Sequence, residues 1–335
     1  MRYQDAGVDI DRKAGALKAA ARKIKETYTP AVLQGLGAFG GMLEVAWLKD
    51  MREPVLVAST DGVGTKTLLA AQTGRYRGLG FDIVHHSVND LLVQGARPLF
   101  FMDYIASARL EAEVLAQVLA SLAEACKAVG IPLLGGETAE MPGVYQEGSL
   151  NLVGTIVGVV EKAQVVDGAK VQPGDVLLAL PSSGLHTNGY SLARRVFAGW
   201  DLEEPRPELG GQSLAEALLE PHRCYLSQVE QLQQAGLEIR AMAHITGGGV
   251  YENLPRVLPA GLGALVQRGS FPVPAIFALI QQAGEVEEQE MYRVFNMGLG
   301  YILVLSPDMA SEAGKLLPQS YPVGYIIEGT GVKVV

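Results

Sequence analysis

The chain reads Val55-Leu56-Val57-Ala58-Ser59-Thr60-Asp61-Gly62-Val63-Gly64-Thr65-Lys66-Thr67, so an apolar stretch passes directly into a carboxylate, two glycines and a lysine. The apolar half predicts a strand. Glycines let backbone N–H groups approach an anion, the carboxylate is a metal ligand, and the lysine adds one mobile positive charge. The segment predicts phosphate chemistry at a strand end, and a Gly-rich turn without function is the alternative. It is not the P-loop motif, because Thr65 replaces the glycine that precedes the lysine there.

Length and composition predict a two-domain globular enzyme. With 335 residues, 48% of them hydrophobic and 19% charged, the chain can bury two separate cores. The segment 161–174 is polar and rich in turn residues, so we place the boundary between domains 1–166 and 167–335. We expect the second domain to complete an active-site cleft with the first. The net charge of -9 argues against a nucleic-acid partner, and a phosphate site would need bound cations or a locally basic pocket.

The sequence gives no sign of a membrane or of an oxidising compartment. No stretch of about 18 apolar residues occurs, and the first residues lack the apolar core of a signal peptide. The two cysteines, Cys126 and Cys224, have no metal-binding spacing, and Cys126 falls on the apolar face of a predicted helix. We therefore expect a cytoplasmic protein with a buried Cys126.

The hydrophobic pattern predicts an α+β fold in which mixed sheets and helices form layers. Apolar residues trace one face of a helix over 109–129, which Gly130 ends, and a second helix begins at Asp82 and is ended by Gly95 and Pro98. Strands are expected at 55–58, 99–105, 131–134, 150–160, 176–180, 239–245, 295–304 and 325–329. Because these elements do not alternate in a strict βαβ order, we prefer layered α+β to a doubly wound sheet.

A glycine-rich segment, 33–41, predicts a long adaptable loop. Its four glycines in seven residues disfavour helix and strand, and loops of this kind often close over ligands. The spacing Gly35-x-Gly37-x-x-Gly40 is not read as a dinucleotide motif, because no strand precedes it. A basic stripe at Lys18 and Arg22 in the helix before this loop predicts a solvated face, with a phosphate-facing role as the alternative.

Three separated carboxylates, Asp61, Asp90 and Glu137, each lie beside small residues at the end of an apolar element. Mg²⁺ prefers oxygen ligands and keeps waters and substrate phosphates around it, so these three acids predict a magnesium site. Any one of them could instead be a helix cap or a surface acid.

The five histidines differ in their settings. His186 lies in a loop of Ser, Gly and Asn, which suits proton transfer or polarisation of a carbonyl. His244 precedes a Thr and three glycines, where a structural hydrogen bond is the alternative. His85 and His86 are adjacent, cannot share a face, and are given no chemistry. His222 follows a proline at a helix start and is expected to be solvated.

Five motifs, taken in order, resemble phosphoribosylformylglycinamidine cyclo-ligase, also called aminoimidazole ribonucleotide synthetase. They are Asp61-Gly62-Val63-Gly64-Thr65-Lys66, Val88-Asn89-Asp90, Gly135-Gly136-Glu137-Thr138-Ala139-Glu140-Met141-Pro142-Gly143, Pro181-Ser182-Ser183-Gly184-Leu185-His186-Thr187-Asn188-Gly189 and His244-Ile245-Thr246-Gly247-Gly248-Gly249. The similarity begins at Tyr3-Gln4-Asp5-Ala6-Gly7-Val8-Asp9 and continues to the final strands. Each motif also occurs in related kinases, but the ordered set is specific.

The resemblance implies that the chain uses ATP and Mg²⁺ to close a ring, converting formylglycinamidine ribonucleotide into aminoimidazole ribonucleotide through an iminophosphate, with ADP and phosphate released. It also implies a homodimer in which the N-terminal domains share a barrel-like sheet, with ATP near the subunit boundary. His186, Lys66 and His244 are the expected catalytic residues, and Asp61, Asp90 and Glu137 the expected metal ligands. The expected nucleotide contacts are Gly37, Phe39, Gly40, Gly41, Asp61, Gly62, Gly64, Thr65, Lys66, Asn89, Asp90, Gly136, Glu137, Thr138, Ser183 and Asn188.

The chain departs from the family at His85-His86, where small or sulfur-containing apolar residues are more common. Two other functions stay open at this point. One is a related small-molecule kinase of the thiamine-phosphate or selenide type, which would release a stable phosphorylated product. The other is a nucleotide-sensing module, which would bind ATP without turnover.

Overall fold

A computed structural model describes residues 10–335 of the chain, so the motif at Tyr3–Asp9 lies outside the described residues. The chain divides into two compact units. The first runs to Leu91 and resumes from Ala96 to Ala163, and the second comprises Leu92–Gly95 and Gln164–Val335. Within residues 10–335, every helix is too short or too polar to span a lipid bilayer.

The first unit combines a four-stranded sheet, a two-stranded hairpin and four helices in its described part. Its strands are β1 (Val32–Gln34), β2 (Met42–Leu43), β3 (Pro54–Gly62), β4 (Arg97–Ser107), β5 (Leu133–Glu140) and β6 (Leu150–Glu161). Its helices are α1 (Ile10–Lys25), α2 (Lys66–Thr73), α3 (Leu79–Leu92) and α4 (Ala112–Ala128). The larger sheet has the order β3-β6-β4-β5, with β4 and β5 parallel and the other pairs antiparallel.

Helix α3 packs closely on one face of this sheet because glycines of β6 leave room for it. A Cβ added to Gly154 would lie 2.8 Å from Cγ1 of Ile83, and one added to Gly158 would lie 2.8 Å from Cδ1 of Leu91. Ile83 and Leu91 are both fully buried. The glycine positions therefore fix the distance between α3 and the sheet, and with it the height of the α3 side chains above the ends of the strands.

The opposite face of the same sheet is partly exposed. Side chains alternate along a strand, so residues two apart share a face. Leu56 on β3 is 64% exposed, and Phe100 and Val157, which are cross-strand partners on β4 and β6, are only half-buried. The single chain thus presents an apolar sheet face to solvent.

The second unit is built on a six-stranded sheet covered by short helices. Its strands are β7 (Val176–Pro181), β8 (Ala241–His244), β9 (Leu262–Val266), β10 (Leu299–Leu305), β11 (Tyr321–Glu328) and β12 (Gly331–Val334), in the order β12-β9-β11-β7-β10-β8. Its helices are α5 (Tyr190–Val196), α6 (Leu214–Leu219), α7 (Leu226–Gln234), α8 (Gly249–Asn253), α9 (Ala275–Gly284), α10 (Glu288–Val294) and α11 (Pro307–Leu316). Strand β10, which lies between β7 and the edge strand β8, is buried along its whole length, as expected for a strand covered on both faces.

The α+β class predicted from the sequence is confirmed, and so is the burial of Cys126 on α4. The division between units falls between Ala163 and Gln164, three residues before the boundary that we placed from composition. The sequence pattern missed β1, β2, β9 and β12. Strands of three and two residues, as in β1 and β2, are too short to show alternation.

Candidate active site

Two predicted site residues of the first unit, Asp61 and Asp90, lie together in a cluster that also contains the imidazole of His86. Nε2 of His86 lies 2.9 Å from Oδ2 of Asp61 and 3.4 Å from Oδ2 of Asp90. The hydroxyl of Ser59 donates to the same Asp90 oxygen at 3.2 Å, and the backbone N–H of Gly62 donates to Oδ1 of Asp61 at 2.6 Å. Strand β3 supplies Ser59 and Asp61 from one face, and α3 supplies His86 and Asp90 one helical turn apart.

Within this cluster, the imidazole and the carboxylates each stabilise the charged form of the other. Burial alone would lower the pKa of His86, but the hydrogen bonds from its ring to Asp61 and Asp90 raise that pKa to about 9. The hydrogen bond to His86 lowers the pKa of the Asp61 carboxyl, against the opposing effect of its partial burial. The cluster is one of the groups of described residues whose donor atoms converge closely enough to hold a metal ion. Carboxylate oxygens beside a partly exposed surface fit Mg²⁺, because the ion can keep its waters there.

Glu137 does not join this cluster, and the sheet register gives the reason. One row of paired residues runs across the sheet through Asp61, Gly154, Asp103 and Gly136, and all of them share a face. Glu137 follows Gly136 along β5, so its side chain is on the opposite face of the sheet. Three strand spacings separate Asp61 from Gly136, about 14 Å. Within a single chain, two of the three predicted carboxylates therefore lie together and the third does not.

Asp103 is a buried carboxyl group in the same row as Asp61. Its burial, together with a smaller effect of the negative charge of Glu137, raises the pKa of the Asp103 carboxyl to about 7. A Cβ added to Gly136 would lie 2.4 Å from Oδ1 of Asp103, so only glycine leaves space for this carboxyl group at β5.

A cavity of about 470 Å³ opens beside Asp103 and the glycine-rich loop. Its walls include Lys18 of α1, the loop residues Gly37–Phe39, Asp103, and the β5 segment Gly136–Thr138. This volume lies in the usual range for small-molecule sites. The cavity brings together the predicted nucleotide contacts Gly37, Phe39, Gly136, Glu137 and Thr138, and it adds Lys18 as a cationic neighbour.

The glycine-rich loop is the tip of the β1–β2 hairpin, and its two ends are held. Gly35 packs against the ring of Tyr28, whose hydroxyl accepts the N–H of Leu36 at 2.7 Å, and Gly41 packs against Leu134. Between these ends, Gly37 has a φ of +93° and open space around it, and Gly40 is also without close neighbours. Phe39 at the tip is fully exposed. The loop is thus fixed at its base and free at its tip.

The sequence predicts that Lys66 is a mobile positive charge, but the structure holds it in place. Its side chain is fully buried, and its Nζ lies 2.7 Å from Oδ1 of Asp82, which is also fully buried. The lysine opens α2 directly after Gly64, which has a φ of +70°, and Thr65. The ammonium group therefore holds α2 against α3 in this structure. Its partner Asp82 lies 16 residues further along the chain, so no local pattern indicates the pair.

In the second unit, the loop between β7 and α5 holds His186 in a strained, buried position. The residue has a φ of +62°, its side chain is inaccessible to solvent, and its Nε2 accepts the backbone N–H of Ser183 at 3.1 Å. The hydroxyl of Ser183 donates to the carbonyl of Pro221 at 2.6 Å. The acceptor role of Nε2 fixes the tautomer of His186 and leaves that atom occupied.

His186 is the first of three histidine rings in contact within the second unit. It stacks on His222 with ring centroids 3.9 Å apart, and Nε2 of His222 lies 2.9 Å from Nε2 of His244. One nitrogen of this pair carries the hydrogen and the other accepts it. The expectation that His222 is solvated is wrong, because its ring is packed between two other histidines and is 1% exposed.

His244 ends β8, and the three glycines after Thr246 bring this loop to the one that carries His186. A Cβ added to Gly247 would lie 3.2 Å from Oδ1 of Asn188. The side-chain amide of Asn253 on α8 donates to the carbonyls of Gly247 and Gly249 and so fixes the backbone of this loop. The predicted residues Ser183, Asn188 and His244 thus lie on two neighbouring loops.

Two residues of the site were missed from the sequence alone. The adjacency of His85 and His86 led to no predicted role for either. The feature that indicates a role is the spacing of four residues between His86 and Asp90 on one helix. Asp103 was read as part of an apolar strand, although a carboxylate inside such a strand is itself unusual. Asn89, a predicted nucleotide contact, is fully buried in α3 beside this cluster.

Two family models match the chain and together define its class. The model of the AIR synthase related protein, N-terminal domain, matches residues 44–160, and the model of the C-terminal domain matches residues 172–335. These ranges follow the two units of the fold.

A curated phosphoribosylformylglycinamidine cyclo-ligase from Synechococcus sp. is 46% identical over 334 residues, covering 98% of this chain and 94% of the relative. The chain therefore belongs to the phosphoribosylformylglycinamidine cyclo-ligase family within that class.

Solved structures of more distant proteins share the fold. A thiamine-monophosphate kinase from Stenotrophomonas maltophilia is 18% identical, with a TM-score of 0.68 over 94% of this chain and 95% of that one. The hydrogenase maturation protein HypE, solved in complex with ATP, is also 18% identical, with a TM-score of 0.63 over 90% of this chain and 83% of that one. At this identity the likeness concerns the fold alone.

Proposed function

We propose that this chain catalyses the ATP-dependent cyclisation of formylglycinamidine ribonucleotide to 5-aminoimidazole ribonucleotide in purine biosynthesis. The observation that carries the proposal is the 46% identity to a curated cyclo-ligase over nearly the whole of both chains. In this reaction ATP phosphorylates the formyl oxygen, an amidine nitrogen attacks the activated carbon of the iminophosphate, and that oxygen departs with the phosphate. The chain acts as a ligase that forms a C–N bond.

Asp61 and Asp90 are the proposed ligands of Mg²⁺ in the first unit. When bound there, the ion would neutralise negative charge on the triphosphate. The chain's own part is to hold the two carboxylates ready, and the hydrogen bonds from Ser59 and from the N–H of Gly62 do this before any ligand arrives. Glu137 faces the other side of the sheet, so we propose that it contacts the nucleotide from the cavity rather than the same ion.

The cavity beside β5 is the proposed nucleotide site. Its volume and its mixture of backbone, carboxylate and lysine groups suit a nucleoside triphosphate. The loop at Gly37–Gly41 closes over it and excludes water from the activated intermediate, because its tip is free to move while its ends are held. Backbone N–H groups at Gly64 and Thr65 approach the phosphates at the start of α2, while the N–H of Gly62 stays on the Asp61 carboxylate. Lys66 supports that helix end through Asp82.

For the second unit we propose that the two loops carrying the histidines handle the substrate's protons. The paired nitrogens of His222 and His244 share one hydrogen, so a proton can pass from one ring to the other. Because Nε2 of His186 is occupied by Ser183, we propose that His186 acts by holding this pair in place and that His244 is nearer to the reacting atoms.

A homodimer is the proposed assembly, with the two four-stranded sheets facing each other. The open face of the sheet supports this, because an exposed apolar face on a sheet is a site of association. It carries Leu56, Ala58, Thr60, Phe100, Met102, Val153 and Val157, all exposed or half-buried in the single chain. Glu137 lies on the same face, which agrees with an ATP site near the subunit boundary.

The test is a single incubation with formylglycinamidine ribonucleotide, ATP and Mg²⁺, followed for ADP and for imidazole ribonucleotide by chromatography and mass spectrometry. Equal amounts of ADP and cyclised product are expected. A stable phosphorylated substrate would indicate a kinase instead, and ATP binding without ADP release would indicate a nucleotide sensor. The matched control is Asp61→Asn, which keeps the shape of the side chain and is expected to remove at least about 99% of turnover while the protein stays folded.

A further inference from the structure

We propose that Asp61, His86 and Asp90 form one mixed nitrogen and oxygen metal site, and that this chain binds Mn²⁺ and Co²⁺ there in preference to Mg²⁺. The inference rests on the proposed function, since it concerns the ion that the same carboxylates would hold. It goes beyond that function by adding a ligand, the imidazole of His86, and a choice of metal.

The geometry of the three donor atoms carries the inference. Two donors that each lie about 2.1 Å from one ion, at right angles, are about 3 Å from each other. Nε2 of His86 lies 2.9 Å from the Asp61 oxygen and 3.4 Å from the Asp90 oxygen, and all three donor atoms lie within 4.8 Å of one another. The three atoms therefore already face a common point, and a small outward movement would admit an ion.

The burial of the three side chains fits a metal site with one open side. The imidazole is 4% exposed and is held by its packing, whereas the side chains of Asp61 and Asp90 are 51% and 27% exposed. Waters or phosphate oxygens can therefore reach the ion from the carboxylate side and complete its shell. Ser59 and the N–H of Gly62 orient the two carboxylates from outside the site, as supporting groups commonly do.

The chemistry of the donors sets the preference. Carboxylate and water ligands suit Mg²⁺ and Mn²⁺ alike, but an imidazole nitrogen that gives up its proton to the incoming ion binds first-row transition metals and is a poor ligand for Mg²⁺. His86 therefore adds a nitrogen ligand to the two carboxylate ligands.

The experiment measures metal binding by the full-length protein, without nucleotide, in wild type, His86→Met and His85→Ala. Methionine keeps the volume of the side chain and removes the ring nitrogen. His85→Ala is the matched control, because it removes the adjacent imidazole, which contacts Phe81 and takes no part in the cluster. Thermal denaturation checks that all three proteins are folded. Mn²⁺ affinity is followed by electron paramagnetic resonance of the free ion, and ¹⁴N coupling to bound Mn²⁺ is followed by pulsed resonance.

We expect wild type and His85→Ala to show ¹⁴N coupling, and His86→Met to lose it together with about tenfold or more in Mn²⁺ affinity, while Mg²⁺ affinity does not fall. Equal or tighter Mn²⁺ binding by His86→Met would overturn the inference and show that the imidazole only neutralises the carboxylates. That result would leave the proposed function intact. Conversely, absence of cyclised product with every metal, in a protein that shows the ¹⁴N coupling, would overturn the function and not the metal site.

Discussion

The buried pair of Lys66 and Asp82 offers a sharp test of what the lysine does. Both side chains are fully buried and their charged atoms are 2.7 Å apart. Removing one partner of such a pair leaves an uncompensated charge and costs about 3–5 kcal/mol. For a unit of this size each kcal/mol lowers the melting temperature by about 2–4 °C, so Lys66→Met should lower it by about 6–20 °C.

The assay is urea denaturation and calorimetry of Lys66→Met, of Asp82→Leu and of the double variant. Each single change leaves one charge without its partner, whereas the double change removes both, so the double variant should recover most of the lost free energy of unfolding. Activity is measured on whatever fraction is folded. If Lys66→Met unfolds like wild type and yet loses turnover, the structural role is refuted and the lysine acts on the phosphates.

Three further predictions concern the packing, the cluster and the open sheet face. Gly154→Ala places a methyl group 2.2 Å from the Phe101 ring, so we expect a loss of about 1–3 kcal/mol by urea denaturation, whereas Gly15→Ala, with no neighbour within 4 Å, should cost nothing. His86 has a folded pKa of about 9 against an ordinary 6.5, so its contribution to stability is complete below pH 6.5 and disappears as the pH rises through 9. Melting temperatures of the protein in a chelator should therefore fall over that range, and the fall should be absent in His86→Met. Leu56→Asp should convert the expected dimer to a monomer in analytical ultracentrifugation, and a dimer that survives this change would exclude the open face as its interface.

The sequence predicted those parts of the fold that depend on local pattern. The strands before Asp61 and around Val176, the helix that contains Asp90, and the loop at Gly35–Gly41 all follow from hydrophobic period and glycine content, and the structure contains each of them.

Contacts between distant segments were not predictable in the same way. The pairing of His86 with Asp61 depends on the register of β3 and on how closely α3 approaches β6, and no local pattern encodes either. The side of the sheet on which Glu137 lies follows from the parallel pairing of β4 and β5, which the sequence did not reveal. Likewise, the burial of His222 depends on rings supplied by other loops.

The free tip and fixed base of the glycine-rich loop make position 39 a natural place for an optical reporter. Phe39 borders the cavity and touches solvent on all sides, so Phe39→Trp would change the indole's surroundings when a ligand enters while leaving the hairpin base alone. The two native tryptophans are each stacked against an arginine, Trp47 on Arg97 and Trp200 on Arg206, and would contribute a steady background emission. Occupancy could then be followed in real time by fluorescence, without any label.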